Sequence, residues 1–251
     1  MSAGYIVQVL VSQYPGIDPY ALHGRLLAWK PDVALVGGTS DRVWFAVPTE
    51  DLPVAVEVSL APPEVYAQAL CDALTWTPRW EDGWATMAER YHASIVVAMR
   101  PQRQLNHASL LLGFLAVLDA VLASLDDEER ERAVLHWMPA QQLLTYAGYR
   151  DLRMDLGPCG PAVNIRIANA TGRPGELLAD TVGLADLGLP DLQTVVRGED
   201  PADVLRRMRV LVSRLFVGAR LGCAWMEEDA MVPPMRETLT LKLDRKETDS
   251  W

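Results

Sequence analysis

The sequence predicts an α+β fold: a mixed or mainly antiparallel sheet with helices packed on it. Three observations carry this. Short valine-rich runs, alternating or continuously apolar, recur from Tyr5 to Asp244 as strands do. Helical patterns lie between them, without the regular strand–helix–strand succession of a parallel sheet. No Gly/Ser-rich linker interrupts the 251 residues, so one body over 1–245 is expected, with a polar tail at 246–251. A loose echo in element order, Tyr5–Leu60 against Tyr91–Ala170, offers another partition into pseudo-halves 1–85 and 86–245. Two abutting ferredoxin-like or βαββ units would give that echo. The halves share negligible sequence identity, so it is topological only.

YIVQVLV (Tyr5–Val11) reads as the first strand, ended by Pro15-Gly16. Asp18 and Pro19 then open a helix as N-cap and first residue, and Pro31 stops it. DVALVGG and RVWFAV are two strands joined by the Gly37–Asp41 loop, and VAVEVSL (Val54–Leu60) is a third. PPEVYAQALCDAL is a helix with Pro and Glu in its first turn. A tryptophan-rich stretch leads through a helical piece into the strand ASIVVAMR.

HASLLLGFLAVLDAVLASL (His107–Leu125) is apolar on nearly every side and predicts a central helix covered on most faces, with Asn106 as N-cap. Its length approaches that of a membrane span, but Asp119 in its second half and the charged run after it favour a buried core helix. RAVLHWM reads as a strand, AQQLLTYAGYR as a short helix, GPCGP as a firm turn and AVNIRIANA as a half-buried strand. TGRPGE is another turn. The helix beginning at Asp200-Pro201 is long and amphipathic, with Gly222 as its stop and Arg206, Arg207, Arg209 and Arg214 on a solvated face. ETLTLKLD closes the series as a strand.

The formal balance is 23 basic against 33 acidic residues, a net of −10. Such a chain repels phosphate backbones and anionic lipid, so neither nucleic acid nor membrane is an expected partner. Cys71, Cys159 and Cys223 are odd in number and far apart. They read as reduced thiols, not as a disulfide framework or a metal site. The opening residues lack a basic n-region and read as a strand, not a signal peptide, which sets a cytoplasmic expectation.

No phosphate loop, GxGxxG or GxSxG motif is present, and His23, His92, His107 and His136 lack metal-ligand spacing. No cofactor and no metal are expected, and the histidines read as structural. Asp119 is the best candidate for acid–base work, but its preferred reading is structural, accepting hydrogen bonds from a neighbouring backbone end or an arginine. Cys159 is the most exposed-looking thiol, and Glu57 reads as solvent-facing. Trp76, Trp80 and Trp84 recur every four residues, though Pro78 and Gly83 weaken a helical stripe. Two patches combine tryptophan with acids: Trp80, Glu81 and Asp82, and Trp225, Glu227, Glu228 and Asp229. These are the candidate contacts for a basic protein partner.

YHASIVVAMR, AVLHWMPA, AVNIRIANATG and TVGLADLGLPDLQ occur in this order. That succession resembles a bacterial family known as an uncharacterised domain of cytosolic proteins, over roughly Tyr91–Val196. Its most similar element is the cluster Thr181, Gly183, Leu184, Leu187, Gly188 and Asp191. The resemblance implies no enzymatic activity. Families of this sort are often encoded beside secreted antibacterial toxins, type VI secretion among them, where small acidic proteins serve as immunity factors. TVGLADLGLPDLQ itself reads as a conformational corner, with a ligand loop and a partner surface as alternatives. The expected function is therefore non-catalytic binding of a toxin, with a hydrolase or transferase as the alternative. A structural component of a larger assembly, where a homo-oligomer would be expected, is the third reading.

Overall fold

The computed structural model describes residues 4–13, 15–50, 52–77, 83–100, 107–169, 174–218, 226–228 and 238–241. In chain order the first elements are β1 (Tyr5–Val11), α1 (Pro19–Trp29), β2 (Ala34–Gly38), β3 (Arg42–Val47), β4 (Val54–Ala61), α2 (Ala67–Trp76), α3 (Trp84–Arg90) and β5 (Ala93–Met99). Then come α4 (His107–Leu122), α5 (Asp127–Arg132), β6 (Val134–Trp137), β7 (Gln142–Thr145), α6 (Tyr146–Leu156) and β8 (Asn164–Asn169). The last are β9 (Glu176–Val182), β10 (Asp191–Arg197), α7 (Pro201–Phe216), β11 (Met226–Glu228) and β12 (Thr238–Leu241). The fold is α+β.

Seven strands form one sheet in the order β2-β3-β4-β5-β1-β6-β7, antiparallel throughout. Strand β1 lies between β5 and β6, so strands from residues 1–85 and 86–245 interleave. A second sheet runs β11-β12-β10-β9-β8 and is antiparallel except at β10–β12.

Alternation decides which face is which. Val7 and Val9 of β1, Val43 and Phe45 of β3, and Val56 and Val58 of β4 are fully buried on one face, beneath α1 and α4. Tyr5, Phe114 of α4 and Trp137 of β6 pack ring to ring there, with centroids 5.5 and 5.6 Å apart. Most of α4 is covered, as its composition predicts, leaving a narrow stripe through Leu112 and Asp119. Among the described residues no helix is long and apolar enough to cross a membrane.

The opposite face holds a smaller apolar cluster of Leu10, Val134 and Leu143 against Leu70, Ala73, Met87 and Tyr91 of α2, α3 and the residue after it. Beside it Gln8, Ser94 and His136 are also fully buried. Gln8 stands opposite His136 in register, accepts from its Nδ1–H at 3.3 Å and donates to Ser94 Oγ at 3.1 Å. Ser94 passes the chain on to the Ala61 carbonyl at 2.8 Å. Buried polar groups demand such partners, and these tie β6, β1 and β5 to the end of β4.

The segment at Thr181–Asp191 is a corner between β9 and β10. Asp191 Oδ1 accepts from the Leu184 amide at 3.1 Å and from Thr181 Oγ1 at 3.2 Å, while Thr181 Oγ1 accepts from the Leu192 amide at 2.7 Å. Gly183 (φ 113°) and Gly188 (φ 73°) take backbone conformations that side chains disfavour. Leu184, Leu187 and Leu192 are buried, and Leu189 packs at the margin. Five of the six residues in the resemblance cluster thus build the turn, and Leu187 anchors it.

Several expected elements differ. The stretch read as one helix from Ala140 is a strand, β7, followed by α6. Gln141 takes a positive φ of 52° to close the β6–β7 hairpin, a conformation glycine or asparagine would have signalled. Strand β9 and helix α5 were not expected; β9 carries Asp180 on a face that pairs with Arg166 of β8, which breaks its apolar pattern. GPCGP is a short 3-10 helix over Gly157–Ala162, with Cys159 fully buried and not exposed. Helix α7 ends at Phe216, before Gly222. Of its arginines, Arg207 is buried against Glu199, contrary to a wholly solvated face. The proposed N-cap Asn106 lies outside the described residues.

Candidate functional site

Helices α4, α5 and α6 line an open cleft of about 320 Å³. Thr145 caps α6, its Oγ1 accepting from the Gly148 amide at 3.0 Å. From that start, Tyr146, Tyr149, Arg150 and Arg153 fall three and four residues apart and share one helical face. Asp126 caps α5, and Arg130 in its last turn reaches the cleft, paired with Asp127. Helix α4 supplies Asp119 and Leu122.

The floor is fixed by a three-way contact. Tyr149 donates its hydroxyl to Asp119 Oδ1 at 2.7 Å, Arg153 pairs with Asp119 Oδ2, and the same guanidinium donates to the Tyr149 oxygen at 3.0 Å. Burial, reinforced by the Asp119 charge, pushes the Tyr149 hydroxyl far above its ordinary range, so it stays protonated and acts as a donor. Burial works against the Arg153 charge, but Tyr149 and Asp119 outweigh it and raise its pKa. Asp119 accordingly takes the structural role foreseen for it, bound to an arginine.

The wall is different. Arg130 and Arg150 both lie over the ring of Tyr146, at 5.6 and 5.8 Å from its centroid. The Nε of Arg130 is buried and meets no acceptor among the described residues. Arg150 is exposed and forms no ion pair among them.

Other chemistry-bearing side chains face their own scaffold. Burial lowers His136 to about 4, leaving it neutral with Nδ1–H on Gln8. Burial raises the Cys159 thiol to about 11, and it donates to the Leu156 carbonyl at 3.3 Å. His107 sits against the Tyr5 hydroxyl at 3.4 Å with its pKa lowered by burial, and His23 Nε2 meets the Val33 carbonyl at 2.9 Å. Glu57 is half-buried, not fully solvated: it pairs with Arg42 at 3.3 Å and accepts from Trp44 Nε1 at 3.3 Å. Among the described residues no three His, Cys, Asp or Glu side chains converge as metal ligands would.

Of the two tryptophan–acid patches, Trp80, Glu81, Asp82, Trp225 and Asp229 lie outside the described residues. Glu227 and Glu228 belong to β11, the edge strand of the second sheet. Trp76 is half-exposed with Arg166 over its ring at 4.7 Å. The cleft residues Arg130, Tyr146, Tyr149, Arg150 and Arg153 were not singled out from sequence. Their signal was present as Tyr-x-x-Tyr-Arg-x-x-Arg, and it becomes readable once the helix is started at Tyr146. No family model, curated protein or solved structure matches the chain.

Proposed function

We propose that the protein is a non-catalytic binding protein, and in its sharpest form a cytoplasmic immunity protein that neutralises a secreted antibacterial toxin. One observation supports the binding reading above the others. The groups able to do chemistry, Asp119, Tyr149, His136 and Cys159, are each tied to the frame, while the uncommitted groups of the cleft are guanidinium and aromatic surfaces. Arginine and tyrosine are the residues that binding surfaces favour. The net charge of −10 suits fast capture of a basic toxin domain elsewhere on the surface. The toxin reading rests on the family resemblance.

The test is co-purification from the native host, followed by assay of the captured chain. An adjacent-gene toxin inhibited at one equivalent supports the proposal. No captured chain, together with unchanged fitness of a deletion strain against its neighbours, removes it.

A hydrolase or transferase is the second reading, favoured by a neutral tyrosine hydroxyl held between a carboxylate and a guanidinium in a cleft. Turnover abolished by Tyr149→Phe in a folded protein would establish it.

A further inference from the structure

The Tyr146 wall of the cleft presents the exposed guanidinium of Arg150, which has no ion pair among the described residues, beside that of Arg130, and this arrangement calls for an anion. We propose that it binds a carboxylate carried on a peptide segment of a partner protein, either an acidic side chain or a free C-terminus. The inference deepens the binding reading but does not depend on a toxin being the partner.

Charge and shape choose the ligand. Three guanidinium groups, Arg130, Arg150 and Arg153, meet two carboxylates, Asp119 and Asp127, at this site. One positive charge remains unmatched, which fits a monoanion. A dianionic phosphate would bring excess negative charge beside Asp119, whose side chain is 46% exposed. Arg153 is held by Asp119 and Tyr149, and the Nε of Arg130 is buried, so the donors open to a ligand are those of the exposed Arg150. A planar carboxylate matches the fork of a guanidinium in a way that a lone lysine-type charge does not need. Tyr146 has both arginines within 5.8 Å of its ring centroid, which gathers their positive charge on one wall of the cleft.

The remaining lining is apolar. Leu122 and Ala123 lie at the end of α4 and just past it, and Met154 is 73% exposed beside them. An aliphatic neighbour of the acidic residue would rest there, since methionine adapts its shape to varied partners. The ligand class is therefore a peptide carboxylate flanked by an aliphatic side chain.

The full-length protein is titrated against two fluorescein-labelled hexapeptides. One holds Leu-Glu-Leu-Glu with an amidated end; the other holds Leu-Gln-Leu-Gln with a free C-terminal carboxylate. Fluorescence anisotropy at low salt should show saturable binding of at least one, and which one names the source of the carboxylate. Arg150→Glu should weaken it by roughly tenfold or more, and Arg150→Lys by less. Arg150 is exposed, so both variants should keep the wild-type circular dichroism spectrum and melting temperature. Tyr146→Leu, which removes the stacking platform, should weaken the same peptide.

Equal affinity in wild type and a folded Arg150→Glu overturns the proposal. So does absence of binding by both peptides at about 1 mM, the weak limit of recognition. Tighter binding of inorganic phosphate than of either peptide also overturns it, in favour of a phosphate site. Failure of these titrations leaves co-purification of a partner unaffected, so the two readings fall separately.

Discussion

Gly188 lies against His107 so closely that a β-carbon built on it would stand 2.3 Å from the ring Nε2. The corner between β9 and β10 is thereby seated on the first residue of α4, whose ring also meets the Tyr5 hydroxyl. Gly188→Ala should destabilise the protein by about 2–4 kcal/mol, combining left-handed strain with overpacking. Gly175 has a similar φ of 78° but open space around it, so Gly175→Ala should cost only about 1 kcal/mol. Urea denaturation of both variants separates the two contributions; equal losses would mean that the His107 contact is slack.

His136 makes stability depend on pH. Its folded pKa is about 4 against an ordinary 6.5, so between these values the unfolded chain binds the extra proton. Stability from this residue is complete above about pH 6.5 and is lost as pH falls toward 4. The difference is on the order of 3 kcal/mol. His107 shifts in the same direction, and carboxylates titrate nearby, so the comparison must be with His136→Leu. The wild type should lose more stability than this variant from pH 7 to 4; parallel curves would place the His136 proton elsewhere.

At the floor of the cleft, the buried tyrosine should matter more than the half-exposed ion pair. Tyr149→Phe removes a hydroxyl donor to a charged acceptor and should cost about 1.5–3 kcal/mol. Arg153→Gln should cost about 0–1 kcal/mol, because Asp119 and Arg153 are both partly hydrated. The reverse order in chemical denaturation would show that the ion pair, not the hydroxyl, holds α4 to α6.

Glu199 and Arg207 form a more enclosed pair, with side chains only 14% and 9% exposed. Glu199→Ala strands a buried guanidinium and should cost about 3–5 kcal/mol. The double substitution Glu199→Leu with Arg207→Met should recover most of that loss. A double-mutant cycle with no coupling would contradict this assignment.

The sheet was readable where valines alternate, as in β1, β3 and β4, because burial on one face imposes a period of two. It was unreadable where a special contact replaces the pattern. Gln141 closes a hairpin without a turn residue, and Asp180 sits in β9 only because Arg166 answers it across the ladder. Cys159 looked exposed because its neighbours are glycine and proline, yet the 3-10 turn packs into the core. The cleft had a legible spacing along α6, but its ion pairing depends on Asp119 thirty-four residues before Arg153, which no local pattern discloses.

The most direct measurement titrates the partner chain captured from the native host, the proposed toxin, with the purified protein while recording that chain's activity. We predict inhibition that is complete at one equivalent and survives His136→Leu and Cys159→Ala, since those side chains serve the frame. A toxin left fully active with the protein bound, or one that the protein converts catalytically, would contradict the account.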